Sequence, residues 1–251
     1  MKAITYHYVR KSVDVPKNLI YLSYQDFIKQ IDWFRNRYKF ISKEDFYSSI
    51  KSRKVNSESI VFSFDDGIID HYNYVFKHLL DINHWGFFFI SAGPYLNKKL
   101  LNVHRVHFIL STVGAEEALN TLNKLINKSM LASSKIEEFD NSVYRGQNIN
   151  SPATTFKKII NYFLKDKWKS EILDYLFKKI IPPNQEQDII KKFYLSVDQI
   201  KKMHNKGMVI GSHGVNHHVM STLTEKNKKE EIKTSCEFLS NVIDKKIDTF
   251  A

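Results

Sequence analysis

Cysteine, proline and glycine are scarce in this sequence, at 1, 5 and 8 of 251 residues. One thiol excludes an internal disulfide. Cys236 falls in step with Ile232, Leu239 and Ile243, which predicts a place in the core stripe of a helix rather than a nucleophile. So little Gly and Pro excludes a flexible or Pro-rich linker and any collagen-like segment. No apolar run approaches the ~20 residues that cross a bilayer. The opening Met1-Lys2-Ala3-Ile4-Thr5-Tyr6-His7 reads as a strand and lacks the apolar core of a signal peptide. These absences predict a cytoplasmic chain, at most peripheral to the inner membrane.

What is present suits a folded domain. Hydrophobic content of 43% over this length predicts one large α/β domain with a substantial core. The net charge is +11, which raises nucleic acid, anionic lipid or an acidic polymer as partners. Lysine is spread in pairs such as Lys98-Lys99, Lys157-Lys158 and Lys228-Lys229, and no stripe combines Arg with stacking aromatics. Nucleic acid is therefore not the expected partner. A basic nucleic-acid-binding protein stays as a rival reading, one that a salt-sensitive gel shift indifferent to His213 would support.

Strands and helices alternate at both ends. Ala3–Val9, Tyr38–Ile41, Ser59–Phe64 and Trp85–Ile90 read as strands. Ser23 with Asp26, and Ser42 with Asp45, open helices. A further helix is expected over about Asp70–Leu80. Such alternation predicts parallel strands with crossover helices. The rhythm breaks over approximately 97–193, which reads as a mainly helical insertion with patterns near 116–127, 155–164 and 169–181. It resumes with a helix from Ser196 that stops at Gly207, a strand Met208–Ser212, a helix Glu225–Ile243 and a last strand Ile247–Ala251.

Two segments carry the chemistry. Ser63-Phe64-Asp65-Asp66-Gly67 puts two carboxylates where one strand ends, and His213-Gly214-Val215-Asn216-His217 puts two imidazoles where another ends. Each is weak alone, because Asp-Gly forms turns and ten histidines yield chance pairs. Together they lie at the strand ends where α/β folds build sites. One carboxylate and two imidazoles make a three-point metal site, and the second carboxylate is placed to deprotonate a water. Adjacent carboxylates diverge on an extended strand, so the turn at Gly67 is needed to turn both inward. The plain alternative is that Asp66 caps the following helix.

With these motifs the sequence resembles the polysaccharide deacetylases, the NodB-like family also called carbohydrate esterase family four. Thr5-Tyr6-His7-Tyr8-Val9 is similar to the family's first strand. Phe62-Ser63-Phe64-Asp65-Asp66-Gly67 is similar to its T-F-D-D-G, and Gly211-Ser212-His213-Gly214-Val215-Asn216-His217 to its H-[S/T]-x-x-H. The resemblance covers 1–97 and 194–251. It implies a single domain over 1–251, a distorted (β/α) barrel carrying the helical insertion. It also implies a divalent metal, zinc foremost with cobalt or nickel as alternatives, held by Asp66, His213 and His217, and Asp65 as catalytic base. The substrate would be an acetylated amino sugar, either in a glycan or linked to lipid or nucleotide, from which the N-acetyl group is hydrolysed. His7 and Arg105 are candidate substrate contacts.

Two departures qualify the resemblance. Gly214 stands where the family has Ser or Thr, so a supporting hydrogen bond in the His loop is expected to be lost. Phe250-Ala251 resembles the start of a segment that in the family supplies an oxyanion donor, closing strands and a late histidine acting as general acid. An incomplete barrel is therefore expected. The rival to an active deacetylase is a truncated, catalytically silent protein that binds metal or glycan without turnover.

Overall fold

The computed structural model describes residues 1–11, 19–131 and 151–251. They divide into two compact units. One holds residues 1–11, 20–99 and 187–251, and the other holds Leu19, 100–131 and 151–186.

The first unit is built on a parallel sheet. Its strands are β1 (Lys2–Tyr6), β4 (Lys39–Phe40), β5 (Ser59–Phe64), β6 (Phe87–Ile90) and β7 (Val209–Ser212), and a separate pair joins β2 (Val9–Arg10) to β3 (Leu22–Ser23). The order is β1-β5-β6-β7, with β4 beside the start of β5. Every residue of β5 is buried. That is the pattern of a strand covered on both faces, and its apolar Ile60, Val61, Phe62 and Phe64 follow from it. Phe62, Phe64, Phe88, Ile90 and Ile210 from the strands pack with Phe27, Ile31, Leu79 and Leu239 in one core.

Local signals place the helices. Ser23 accepts from the Asp26 amide and opens Tyr24–Arg35, Ser42 accepts from the Asp45 amide and opens Lys43–Ser52, and Ser196 with Gln199 forms a capping box on Val197–Asn205. Three expectations are corrected. The strand predicted over Ala3–Val9 ends at Tyr6, and Val9–Arg10 pairs with Leu22–Ser23 instead. The helix predicted from Asp70 begins as a π-helix, His71–Phe76, before the α-helix Lys77–Asp81. In the expected last strand the ladder is reduced to one bridge, Ser212 with Phe250.

The π segment sits beside a buried ion pair. Nε and Nη2 of Arg10 both lie 2.7 Å from Oδ2 of Asp70. Burial still raises the Asp70 pKa to about 6 against the pull of Arg10, so desolvation outweighs the pairing. Arg10→Met should lower stability by about 3–5 kcal/mol at neutral pH by stranding the carboxylate. The sign with pH follows from the raised pKa. As pH falls through about 6 the native carboxyl takes up a proton before the unfolded one does. Without Arg10 the native carboxyl is pushed higher still, so the variant's deficit should shrink as pH falls toward 6 and level off below it, as denaturant melts at several pH values would record.

The second unit is helical among its described residues. It contains Asn102–Val113, Ala115–Leu125, Pro152–Lys158 and Asp166–Ile180. Arg105 is buried there, ion-paired to Asp174 and Glu186, with its guanidinium over the Phe177 ring.

Candidate metal centre

The Asp-Asp-Gly turn solves the problem of two neighbouring carboxylates by leaving extended backbone. The Asp65 amide donates to the Tyr6 carbonyl and so continues the β1–β5 ladder by one residue. Asp66 and Gly67 then adopt φ of 76° and 70°. Asp tolerates this left-handed region better than most residues and Gly without penalty. A Cβ on Gly67 would lie 2.8 Å from Cγ2 of Ile90. Gly67→Ala thus combines strain with a clash against the core, and a loss of about 1–3 kcal/mol is expected in chemical denaturation.

The histidine loop begins directly after β7. His213 N donates to the Ile90 carbonyl, and the amides of Ala92 and Gly93 donate to the carbonyls of Gly214 and Val215. Gly214 takes φ 72° and His217 φ 56°. These turns bring both imidazoles over Asp66. Nε2 of His217 is 3.2 Å and Nε2 of His213 is 3.6 Å from Oδ1 of Asp66. One donor atom from each of the three residues lies within 4.8 Å of the other two.

The two rings and the two carboxylates sit in different environments. Nδ1 of His213 lies 2.8 Å from the Ala251 carbonyl. A carbonyl only accepts, so Nδ1 carries the proton and Nε2 presents its lone pair to Asp66 in the neutral ring. Burial lowers the His213 pKa, against the raising influence of Asp66, and favours that neutral ring. His217 moves the other way: burial lowers its pKa, but the hydrogen bond and charge of Asp66 outweigh it and hold it above the ordinary value. Asp66 is 3% exposed and Asp65 9%. Burial raises the Asp65 pKa, with His213 and His7 pulling it down. Oδ1 of Asp65 is buried and has no hydrogen-bond partner among the described residues. A nitrogen–oxygen donor set this close, beside an unsatisfied carboxylate oxygen, fits a divalent cation and a water.

The other candidates fall elsewhere. His7 is exposed just after β1, and its carbonyl accepts from Nε2 of the fully buried His71. Burial takes the His71 pKa down to about 4, so the ring is neutral at pH 7. Arg105 lies in the second unit, held by the carboxylates named above. Sequence reading missed Glu231, a residue 8% exposed whose carboxylate accepts from the Val215 and Asn216 amides. The available signal was a carboxylate in the buried stripe Glu231, Ser235, Leu239 of the helix Glu225–Ile243.

Comparison with known proteins agrees with the motifs. The family model for polysaccharide deacetylase matches residues 150–251, a span that includes His213 and His217 but not Asp65 or Asp66. No curated protein sequence matches. Among solved structures, the chain is similar to the Streptococcus pyogenes deacetylase PplD in complex with acetate, at 14% identity and a TM-score of 0.52, covering 99% of this chain and 71% of that one. It is also similar to IcaB from Ammonifex degensii, at 13% identity and a TM-score of 0.50, covering 99% and 72%. The resemblance to NodB-like polysaccharide deacetylases holds, and the α/β fold is of that type. Among the described residues the sheet is not closed into a barrel.

Proposed function

We propose that the chain is a metal-dependent carbohydrate N-deacetylase, hydrolysing the acetamide of an acetylated amino sugar to acetate and a free amine. One observation carries this reading: Asp66, His213 and His217 converge from two strand ends beside the buried, unsatisfied Oδ1 of Asp65. The family match and the fold support the carbohydrate substrate.

Oδ1 of Asp66 and the Nε2 atoms of His213 and His217 would hold the cation. Zinc suits these donors, and cobalt and nickel are compatible. When bound, the cation polarises the acetamide carbonyl, acidifies a water and favours the carboxylate form of Asp65. Oδ1 of Asp65 takes the proton as the water oxygen attacks the carbonyl carbon. The C–N bond then breaks as Asp65 passes that proton to the leaving nitrogen, which gives the free amine and acetate and returns Asp65 to its carboxylate form. The Ala251 carbonyl keeps the His213 ring in the tautomer that presents Nε2. His7, exposed after β1 and near enough to Asp65 to lower its pKa, is kept as a candidate substrate contact. Arg105 has no part in this scheme.

The substrate is a polysaccharide or a precursor whose sugar is attached to lipid or nucleotide. No helix among the described residues is long and apolar enough to cross a membrane. The test is acetate release from N-acetylglucosamine oligomers and from lipid- and nucleotide-linked N-acetyl sugars. Release that stops with a chelator and returns with Zn²⁺ or Co²⁺ supports the reading. Metal binding without acetate release from any of them would make the chain a silent relative.

A further inference from the structure

We infer that Glu231 is a positioning residue of the metal centre: its carboxylate fixes the Val215–Asn216 segment and thereby sets the separation of the His213 and His217 rings. The inference rests on the metal-binding reading of the site and adds a residue outside the ligand set.

Three donors converge on this one side chain. Oε2 accepts from the Val215 amide at 2.8 Å and the Asn216 amide at 2.9 Å, and Oε1 accepts from Nδ2 of Asn216 at 2.7 Å. Two successive backbone N–H groups aimed at one oxygen make an anion nest. Here the nest is filled from within the fold, by a helix sixteen residues further along the chain from Val215. Charge-assisted bonds of this kind are about twice as strong as neutral ones.

The contacts fall between the two candidate ligands. His213 is held on the β7 side by its amide and by Nδ1. His217 has φ 56°, a conformation that costs an ordinary residue about 1–2 kcal/mol. Without the carboxylate the Val215 and Asn216 amides lose their acceptor, and the loop is free to relax that strain. Gly214 belongs to the same arrangement. A Cβ there would stand 3.2 Å from Oε2 of Glu231, and the Gly214 amide donates to Oγ of Ser212. With no side chain at position 214, the loop is held from two sides, by Ser212 and by Glu231.

The experiment is a Co²⁺ titration of the metal-free full chain, read as affinity and as the visible absorption of the bound ion. Glu231→Gln keeps the side chain's size but turns one acceptor into a donor, and should weaken Co²⁺ about 10–100-fold, the range for outer-shell partners of metal ligands, with an altered spectrum. Leu239→Ala, fully buried on the same helix, should lower the melting temperature and leave affinity and spectrum as in wild type. Wild-type affinity and spectrum in Glu231→Gln would overturn the inference, as would equal weakening in Leu239→Ala. Should Glu231→Gln not fold, Asn216→Ala removes the Oε1 contact together with the bond that Asn97 donates to Oδ1 of Asn216; it must weaken Co²⁺ severalfold while Asn97→Ala, which removes only the latter, does not, and no change in Asn216→Ala or equal weakening in Asn97→Ala overturns it too. A wild-type chain that binds no Co²⁺ overturns the metal reading itself, which separates the two failures.

Discussion

Replacing His217 with alanine removes tight zinc binding while the neighbouring His218→Ala variant keeps it. That is the largest effect the site geometry predicts. Catalytic zinc is held by three protein ligands, and deleting one leaves only Asp66 and His213. The loss should exceed the about 100-fold that changing an outer-shell partner costs. Sequence distance cannot account for the contrast, because the two histidines are adjacent. Nε2 of His217 lies 3.2 Å from Asp66, whereas Nε2 of His218 lies 4.0 Å from Glu231. Isothermal titration of both variants with Zn²⁺ measures the difference. Equal affinities would remove His217 from the ligand set.

Asp65→Asn gives the second large effect, and it separates catalysis from binding. Asn has nearly the shape of Asp but cannot take a proton from water. A general base contributes about 10²–10⁴ to rate, so kcat for acetate release should fall by that factor. Zinc affinity should stay near wild type, because Asp65 is not among the three grouped donors. Asp66→Asn should lose both. If Asp65→Asn retains full turnover, the proton goes elsewhere. If Asp65→Asn loses zinc instead, the roles of the two carboxylates are exchanged.

The sequence made the strand ends legible because the chemistry there is written in residue type. A mostly apolar strand stopped by Asp-Asp-Gly, and another stopped by a histidine pair, expose both motifs without reference to three dimensions. The caps at Ser23, Ser42 and Ser196 were equally plain, since a hydroxyl before a helix has a specific amide to accept. Other features had no such mark. The helix Asn102–Val113 begins after Leu101, which offers no capping side chain. The break after Tyr6 carries neither Gly nor Pro, so His7-Tyr8 read as more strand. The π-helix His71–Phe76 shares its apolar residues with an α pattern over so short a span. Glu231 and the Ala251 carbonyl act on the site through tertiary contacts, and periodicity along the chain cannot report a partner that lies across the fold.

The family comparison reaches the histidine loop and stops short of the aspartates. The claim that both belong to one centre therefore depends on their meeting in space. An anomalous difference map at the zinc edge, from crystals grown with Zn²⁺, tests that meeting most directly. The account predicts one peak about 2.0–2.2 Å from Oδ1 of Asp66 and from Nε2 of His213 and His217. A map with no peak among these three side chains, or with Asp66 turned away from both rings, would contradict it.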